Sequence, residues 1–262
     1  MVVLMVEMNE AALRALSAKA GLPLQFTFKE VKLFEVLAKI LQKNREEQLD
    51  IVMKGGTALN KIYLPGVQRF SEDIDFDLFS DKKNLGRITA IEGFETEGPW
   101  RMHNTLRYHL SYSFMGKKDN IRVEFVLNKG KETIMPVQSG SMISDITGTA
   151  LYGVPVYGFE DLLARKMNAL RERTEGKDIW DSWQAIPKAK KLKNAITLAL
   201  ASDHLNMSAQ DSLEQTVAAV KNVDAKQVMK LTNPYIPTFL RPKNWEEVKN
   251  QLLARLQQLF EK

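Results

Sequence analysis

The chain has 262 residues, 44% of them hydrophobic and 26% charged, a globular balance that argues against disorder and suffices for one large domain or two modest ones. It contains no cysteine, which excludes disulfides, zinc–thiolate centres and thiol nucleophiles. The formal net charge of +5 permits an acidic partner such as nucleic acid or a nucleotide without demanding one. In chain order, the apolar opening MVVLMV stops at Glu7 with no basic stretch before it, too short for a signal-peptide core. No later run approaches a membrane span, and a cytoplasmic protein is expected.

Residues 9–20 and 27–43 read as helices, the second with Leu33, Phe34, Leu37, Ile40 and Leu41 on one stripe. Residues 49–53 form a short apolar run ended by Gly55-Gly56, as a buried strand would be, and TALNKIYL then reads as a short helix ended by Pro65-Gly66. Residues 70–79 alternate as a strand; 106–115 and 121–127 are further strand candidates, with GKKDN between them as a turn. From residue 158 helical periodicity takes over, at 159–173, 177–186, 190–204, 208–220, 224–230 and 244–260. The expected fold is therefore α/β (α+β): a mixed sheet with flanking helices over residues 1–157, then an all-helical domain over 158–262. The helical part carries 17 basic and 13 acidic side chains, most of the net positive charge.

The stretch SEDIDFDLFS poses the functional question. Side chains two apart on a strand share a face, so Asp73, Asp75 and Asp77 line one side while Ile74, Phe76 and Leu78 line the other. Carboxylates that close repel one another, and a divalent cation reconciles them; all-oxygen ligands favour Mg²⁺ or Mn²⁺. A solvated acidic strand face is the competing structural reading. An EF-hand is excluded, because the sixth and twelfth positions from Asp73 are Leu78 and Asn84. Gly55-Gly56 at a helix start frees backbone N–H groups to face an anion, although a tight turn alone would also explain two glycines. Phosphate cradle and acidic strand together suit a nucleoside triphosphate and its metal; neither a Walker A loop nor G-x-G-x-x-G is present.

These residues carry a resemblance. A diglycine followed by D-h-D, with h apolar, resembles the signature of the DNA-polymerase-β-like nucleotidyltransferase superfamily. The fuller KGGTAL…RFSEDIDFDL is similar to the AbiEii family, the toxins of abortive-infection and type IV toxin–antitoxin systems. The likeness spans residues 50–80, a third carboxylate near residue 124 and a helical motif at 166–181. It implies a nucleotidyltransferase fold and Mg²⁺-dependent (or Mn²⁺-dependent) transfer of a nucleoside monophosphate from an NTP to an acceptor, RNA and in particular the tRNA 3′ end, with a separate antitoxin protein.

Carried over residue by residue, the resemblance makes Asp73, Asp75 and Glu124 metal ligands and places Gly55, Gly56, Thr57, Arg69 and Ser71 at the phosphates. Glu124 fits because Val123 and Phe125 flank it on the opposite strand face; the alternative is a surface residue paired with Arg122 or Arg107. The family's K-x3-L-x2-R and [KR]-D-x2-D motifs match Lys166 to Arg173 and Lys177 to Asp181. Lys166 would then offset triphosphate charge from the border of core and solvent, with Asp178 or Asp181 completing the site. The structural alternative is a pair of surface salt bridges, Lys177–Asp181 and Arg173–Asp178. Asp77 is left as a spare, and a frame using Asp75 and Asp77 stays open. Lys188, Lys190, Lys191 and Lys193 form a basic run that is usually a solvated face. Trp100, Tyr108, Tyr112 and Phe114 are expected wholly or partly in the core, with stacking on a base as the alternative, and His103 and His109 are expected to be structural. A silent nucleotide-binding module and a metal-dependent nuclease are the rival functions.

Overall fold

The computed structural model describes residues 3, 4, 9–128, 136–203 and 205–260. They form two compact units, the first running to Tyr157 and the second taking Gly158 onward together with Pro136. Strands of the first unit are β1 (Val3–Leu4), β2 (Ile51–Lys54), β3 (Asp73–Leu78), β4 (Glu95–Met102), β5 (Thr105–Phe114), β6 (Lys117–Leu127), β7 (Val137–Ile143) and β8 (Ala150–Tyr157). They build one mixed sheet in the order β1-β8-β2-β3-β6-β5-β4, with β7 also paired to β8. β3 runs antiparallel to β2 and parallel to β6.

Helix α1 (Glu10–Ala20) starts at an Asn9 side chain that accepts from the Ala12 N–H and ends at left-handed Gly21, the capping logic its sequence announces. Helix α2 (Leu24–Glu47) is longer than its stripe predicts, starting at Pro23 and ending at left-handed Gln48. Its buried Leu33, Phe34, Val36, Leu37, Ile40 and Leu41 lie against β3, β5, β6 and β8. The sheet side of this core is Ile74, Phe76 and Leu78 from β3 and Ile121, Val123 and Phe125 from β6, all fully buried, with Phe76 and Phe125 stacked at 5.3 Å. Burying one face of β3 so completely leaves its aspartates committed to the other.

After β2 the chain forms a four-residue helix, α3 (Gly55–Ala58), and then a π-helical turn over Leu59–Tyr63, where a plain helix was expected. The π turn buries Lys61 beside Glu30 of α2, and the two make an ion pair with both side chains out of solvent. Helix α4 (Leu85–Thr89) follows β3. The expected turn at GKKDN shrinks to Met115-Gly116, because Lys117–Asn120 already pair with β5.

The second unit is helical: α5 (Phe159–Glu172), α6 (Gly176–Ala185), α7 (Leu192–Ser202), α8 (Ala209–Lys221), α9 (Ala225–Thr232) and α10 (Trp245–Gln258). Ser208, Asp224 and Asn244 cap α8, α9 and α10 through side-chain oxygens. Leu163, Met167, Leu170, Trp180, Leu213, Trp245 and Leu252 form its core. Among the described residues no helix is long and apolar enough to cross a membrane.

Candidate active site

β2 delivers the chain to Gly55, whose φ of +78° favours glycine. A Cβ there would lie 2.2 Å from Asp75 Oδ2, so glycine also makes room for the aspartate strand beside the turn. The Thr57 hydroxyl donates to the Asp73 carbonyl at 2.5 Å and lies 2.6 Å from Ser71 Oγ. Both side chains are buried, so Thr57 and Ser71 pin the diglycine turn onto the start of β3. The first-turn N–H groups of any such helix have no acceptor within the helix itself. Arg69, also buried, turns inward and donates to the Phe70 carbonyl at 3.0 Å.

Register then assembles the charges. Asp75 sits opposite Lys54 of β2 on one side and Glu124 of β6 on the other, and Glu124 sits opposite Arg107 of β5. Asp73 sits opposite Arg122. Arg107 Nε donates to Glu124 Oε1 at 2.8 Å. Arg122 is ion-paired with Asp73, and its Nε lies 3.5 Å from Glu124 Oε1. Asp75, between these pairs, accepts no hydrogen bond from any described residue. Burial first, then the charges of Asp73 and Glu124, push its carboxyl up to about 7 against the pull of Lys54 and Arg122.

Among the described residues no three acidic or histidine side chains are placed together to hold a metal ion, and Arg122 lies against Asp73 and Glu124. The donor chemistry nevertheless fits a hard divalent cation. Three carboxylates from adjacent parallel strands supply oxygen only, and the central one receives no hydrogen bond among the described residues. Asp77 stands apart from this set. It is buried, takes Lys54 Nζ at 2.6 Å on one oxygen and the Tyr157 hydroxyl at 2.7 Å on the other. Those two contacts commit Asp77 to securing the strand and count against the alternative frame.

In the second unit, Lys166 is buried rather than at the solvent border, with its ammonium 3.0 Å from both Asp178 Oδ1 and Asp181 Oδ2. Arg173 adds a 2.9 Å bond to Asp178 from the exposed side. Burial pushes the Asp178 carboxyl up, but Lys166 and Arg173 outweigh it and hold the group below the usual carboxylate range. The Arg173–Asp178 pair is present as the structural alternative had it. Lys177 lies over the Tyr235 ring at 3.8 Å, and Asp181 pairs with Lys166.

Sequence reasoning named Arg122 and Arg107 only as partners for a surface Glu124; Arg122 lies two residues before Glu124 and so shares its strand face, whereas Arg107 meets Glu124 through the β5–β6 register. Nothing in the sequence announced the buried Lys61–Glu30 pair, which ties the turn after the diglycine to α2. Trp100, expected wholly or partly in the core, is 43% exposed on β4, the sheet's edge, while Tyr108 and Tyr112 are buried.

A family model described as "Nucleotidyl transferase AbiEii toxin, Type IV TA system" matches residues 36–260. No curated protein sequence matches the chain. Among solved structures, the nucleotidyltransferase toxin MenT4 of Mycobacterium tuberculosis is similar at 17% identity and a TM-score of 0.67, over 95% of this chain and 90% of that one. JHP933 of Helicobacter pylori is similar at 20% identity and a TM-score of 0.61, over 92% and 94%. At these identities the likenesses establish the shared fold.

Proposed function

We propose, for a chain that belongs to the AbiEii family of nucleotidyl transferase toxins, that this enzyme moves a nucleoside monophosphate from an NTP onto an RNA acceptor, the tRNA 3′ end in particular. The observation that carries the reading is Asp75: a carboxylate without a hydrogen-bond donor, across from Glu124 and packed against the diglycine turn. A solvated acidic face would have no need of a glycine at 55 to admit it.

Asp73, Asp75 and Glu124 would hold Mg²⁺ or Mn²⁺, and a bound ion supplies charge neutralisation and a more acidic acceptor hydroxyl. In the transfer the acceptor oxygen bonds to the α-phosphorus, the α–β bridging P–O bond breaks, and pyrophosphate leaves. Glu124 Oε1 is occupied by Arg107, which orients the side chain and leaves Oε2 for the ion, through which Glu124 would make the acceptor hydroxyl more acidic; the released proton goes to solvent. The backbone at Gly55, Gly56 and Thr57 faces the phosphates, while the Thr57 and Ser71 hydroxyls and Arg69 keep the turn in place. Lys166, Asp178 and Asp181 enter the reading through the family motif they match. The antitoxin is a separate protein.

Each α-labelled NTP incubated with total RNA and Mg²⁺ tests this directly. Label in a tRNA-sized product, absent with Asp73→Asn, is the expected result. No label from any of the four nucleotides would overturn the RNA acceptor.

A further inference from the structure

The Arg122 side chain is engaged yet incompletely satisfied. Its guanidinium lies against Asp73 and near Glu124, yet its buried Nε makes no hydrogen bond. The side chain keeps 40% of its surface, so it has room to move. Arg107 differs: it is more enclosed and holds Glu124 with a well-formed bond of its own. Withdrawing Arg122 therefore leaves Glu124 partnered and Asp73 open.

We propose that Arg122 is a positioning residue that serves as the site's own counter-ion, exchanged for a divalent cation when substrate arrives, after which its guanidinium turns to the triphosphate. This rests on the transferase reading above. One guanidinium cannot serve three carboxylates, and it leaves Asp75 without a donor among the described residues; a divalent ion would offset the charge that Arg122 leaves uncompensated. An arginine does not leave by losing its proton, so it leaves by changing partners. Its planar fork matches phosphate oxygens as well as it matches a carboxylate. The cation thus frees the arginine, and the phosphates that accompany the cation receive it. Arg122 opposes the bare ion and favours the ion together with a polyphosphate, so ion and nucleotide bind as a coupled pair.

The test is a titration of the full chain with Mn²⁺ alone, following free Mn²⁺ by electron paramagnetic resonance, for wild type, Arg122→Gln, Arg122→Lys and Asp73→Asn. Arg122→Gln is expected to bind Mn²⁺ on the order of tenfold more tightly than wild type, with Arg122→Lys between them. At saturating Mn²⁺, calorimetry with inorganic tripolyphosphate should show Arg122→Gln binding about tenfold more weakly. A merely structural arginine would weaken both or neither; circular dichroism and urea unfolding establish that each variant is folded. Equal or weaker Mn²⁺ binding by Arg122→Gln, with Asp73→Asn reduced, overturns this proposal and leaves the metal reading standing. No binding by wild type or any variant overturns both.

Discussion

The Lys54 ammonium, at the end of β2, donates to Asp77 Oδ1 over 2.6 Å, and the Tyr157 hydroxyl closes the other side of the same carboxylate. This places Asp77 among the groups that hold the sheet together. Asp77→Ala strands Lys54 in a largely enclosed setting and should cost about 3 kcal/mol. A urea midpoint measures it. Asp77→Asn, which keeps both contacts in part, should lose less and should still bind Mn²⁺; loss of Mn²⁺ binding in that folded variant would restore the Asp75–Asp77 frame.

Asp75 makes the protein's stability depend on pH in the opposite sense to an ordinary ion-paired aspartate. Its folded carboxyl titrates at about 7, well above the value of an unfolded chain near 4. The folded state therefore binds more protons in that window, and stability falls as pH rises from about 4 to about 7. Lys54 and Arg122 oppose the effect; Asp73 and Glu124 reinforce it. Asp75→Asn should gain stability over wild type at pH 8 and gain little at pH 4. Without metal, urea midpoints of the two proteins at both pH values check this. A constant difference would mean that Asp75 ionises normally.

Gly55 and Gly66 separate backbone strain from crowding. Both have φ near +80°, but an alanine at Gly66 meets nothing within 4 Å, whereas at Gly55 it meets Asp75 Oδ2. Gly66→Ala should cost about 1 kcal/mol, and Gly55→Ala about 2 kcal/mol more. Thermal unfolding measures both. Only Gly55→Ala should abolish nucleotide transfer, because Asp75 has to give way.

The Lys166 group predicts behaviour in acid. Asp178 is held below the usual carboxylate range, so the stability it provides is present above an unfolded pKa near 4 and is lost as pH falls through its folded value. Asp178→Asn should be less stable than wild type at pH 7, with the gap closing below pH 4. Lys166→Met, which leaves Asp181 without the ammonium, should cost about 3 kcal/mol at pH 7. Equilibrium unfolding across pH reads both.

Glu124 was singled out only through the family resemblance, whereas the diglycine turn, the alternation of the aspartate strand and the helical second half were legible because each is local: a turn type, a strand period, a helix period. The sheet's outer strands were not. β4 carries Gly98-Pro99 within it, where its pairing with β5 shifts register, and β8 interrupts its alternation with Gly153 and Pro155, so both read as breaks. In β8 the paired neighbours on either side override that local signal. The roles of Asp77 and Arg122 depend on which residue stands opposite, and register across strands is not written in any one stretch of chain. Tyr157 reaches Asp77 from 80 positions away. Lys166 looked like a border residue because helical spacing cannot see Asp178 and Asp181 on the next helix.

The row Lys54, Asp75, Glu124 and Arg107 across four strands, with the Asp73–Arg122 pair beside it and Asp77 behind Lys54, has a consequence at long range. Three cations face four carboxylates, and the surplus carboxylate, Asp75, is the one that keeps its proton until near neutrality. Such an array has almost no monopole. Its potential decays as that of a higher multipole and fades within a few ångströms of the sheet, well inside a Debye length of about 8 Å. A polyanion approaching this acidic surface meets no repulsive field on the way in, and the carboxylates make themselves felt only at contact.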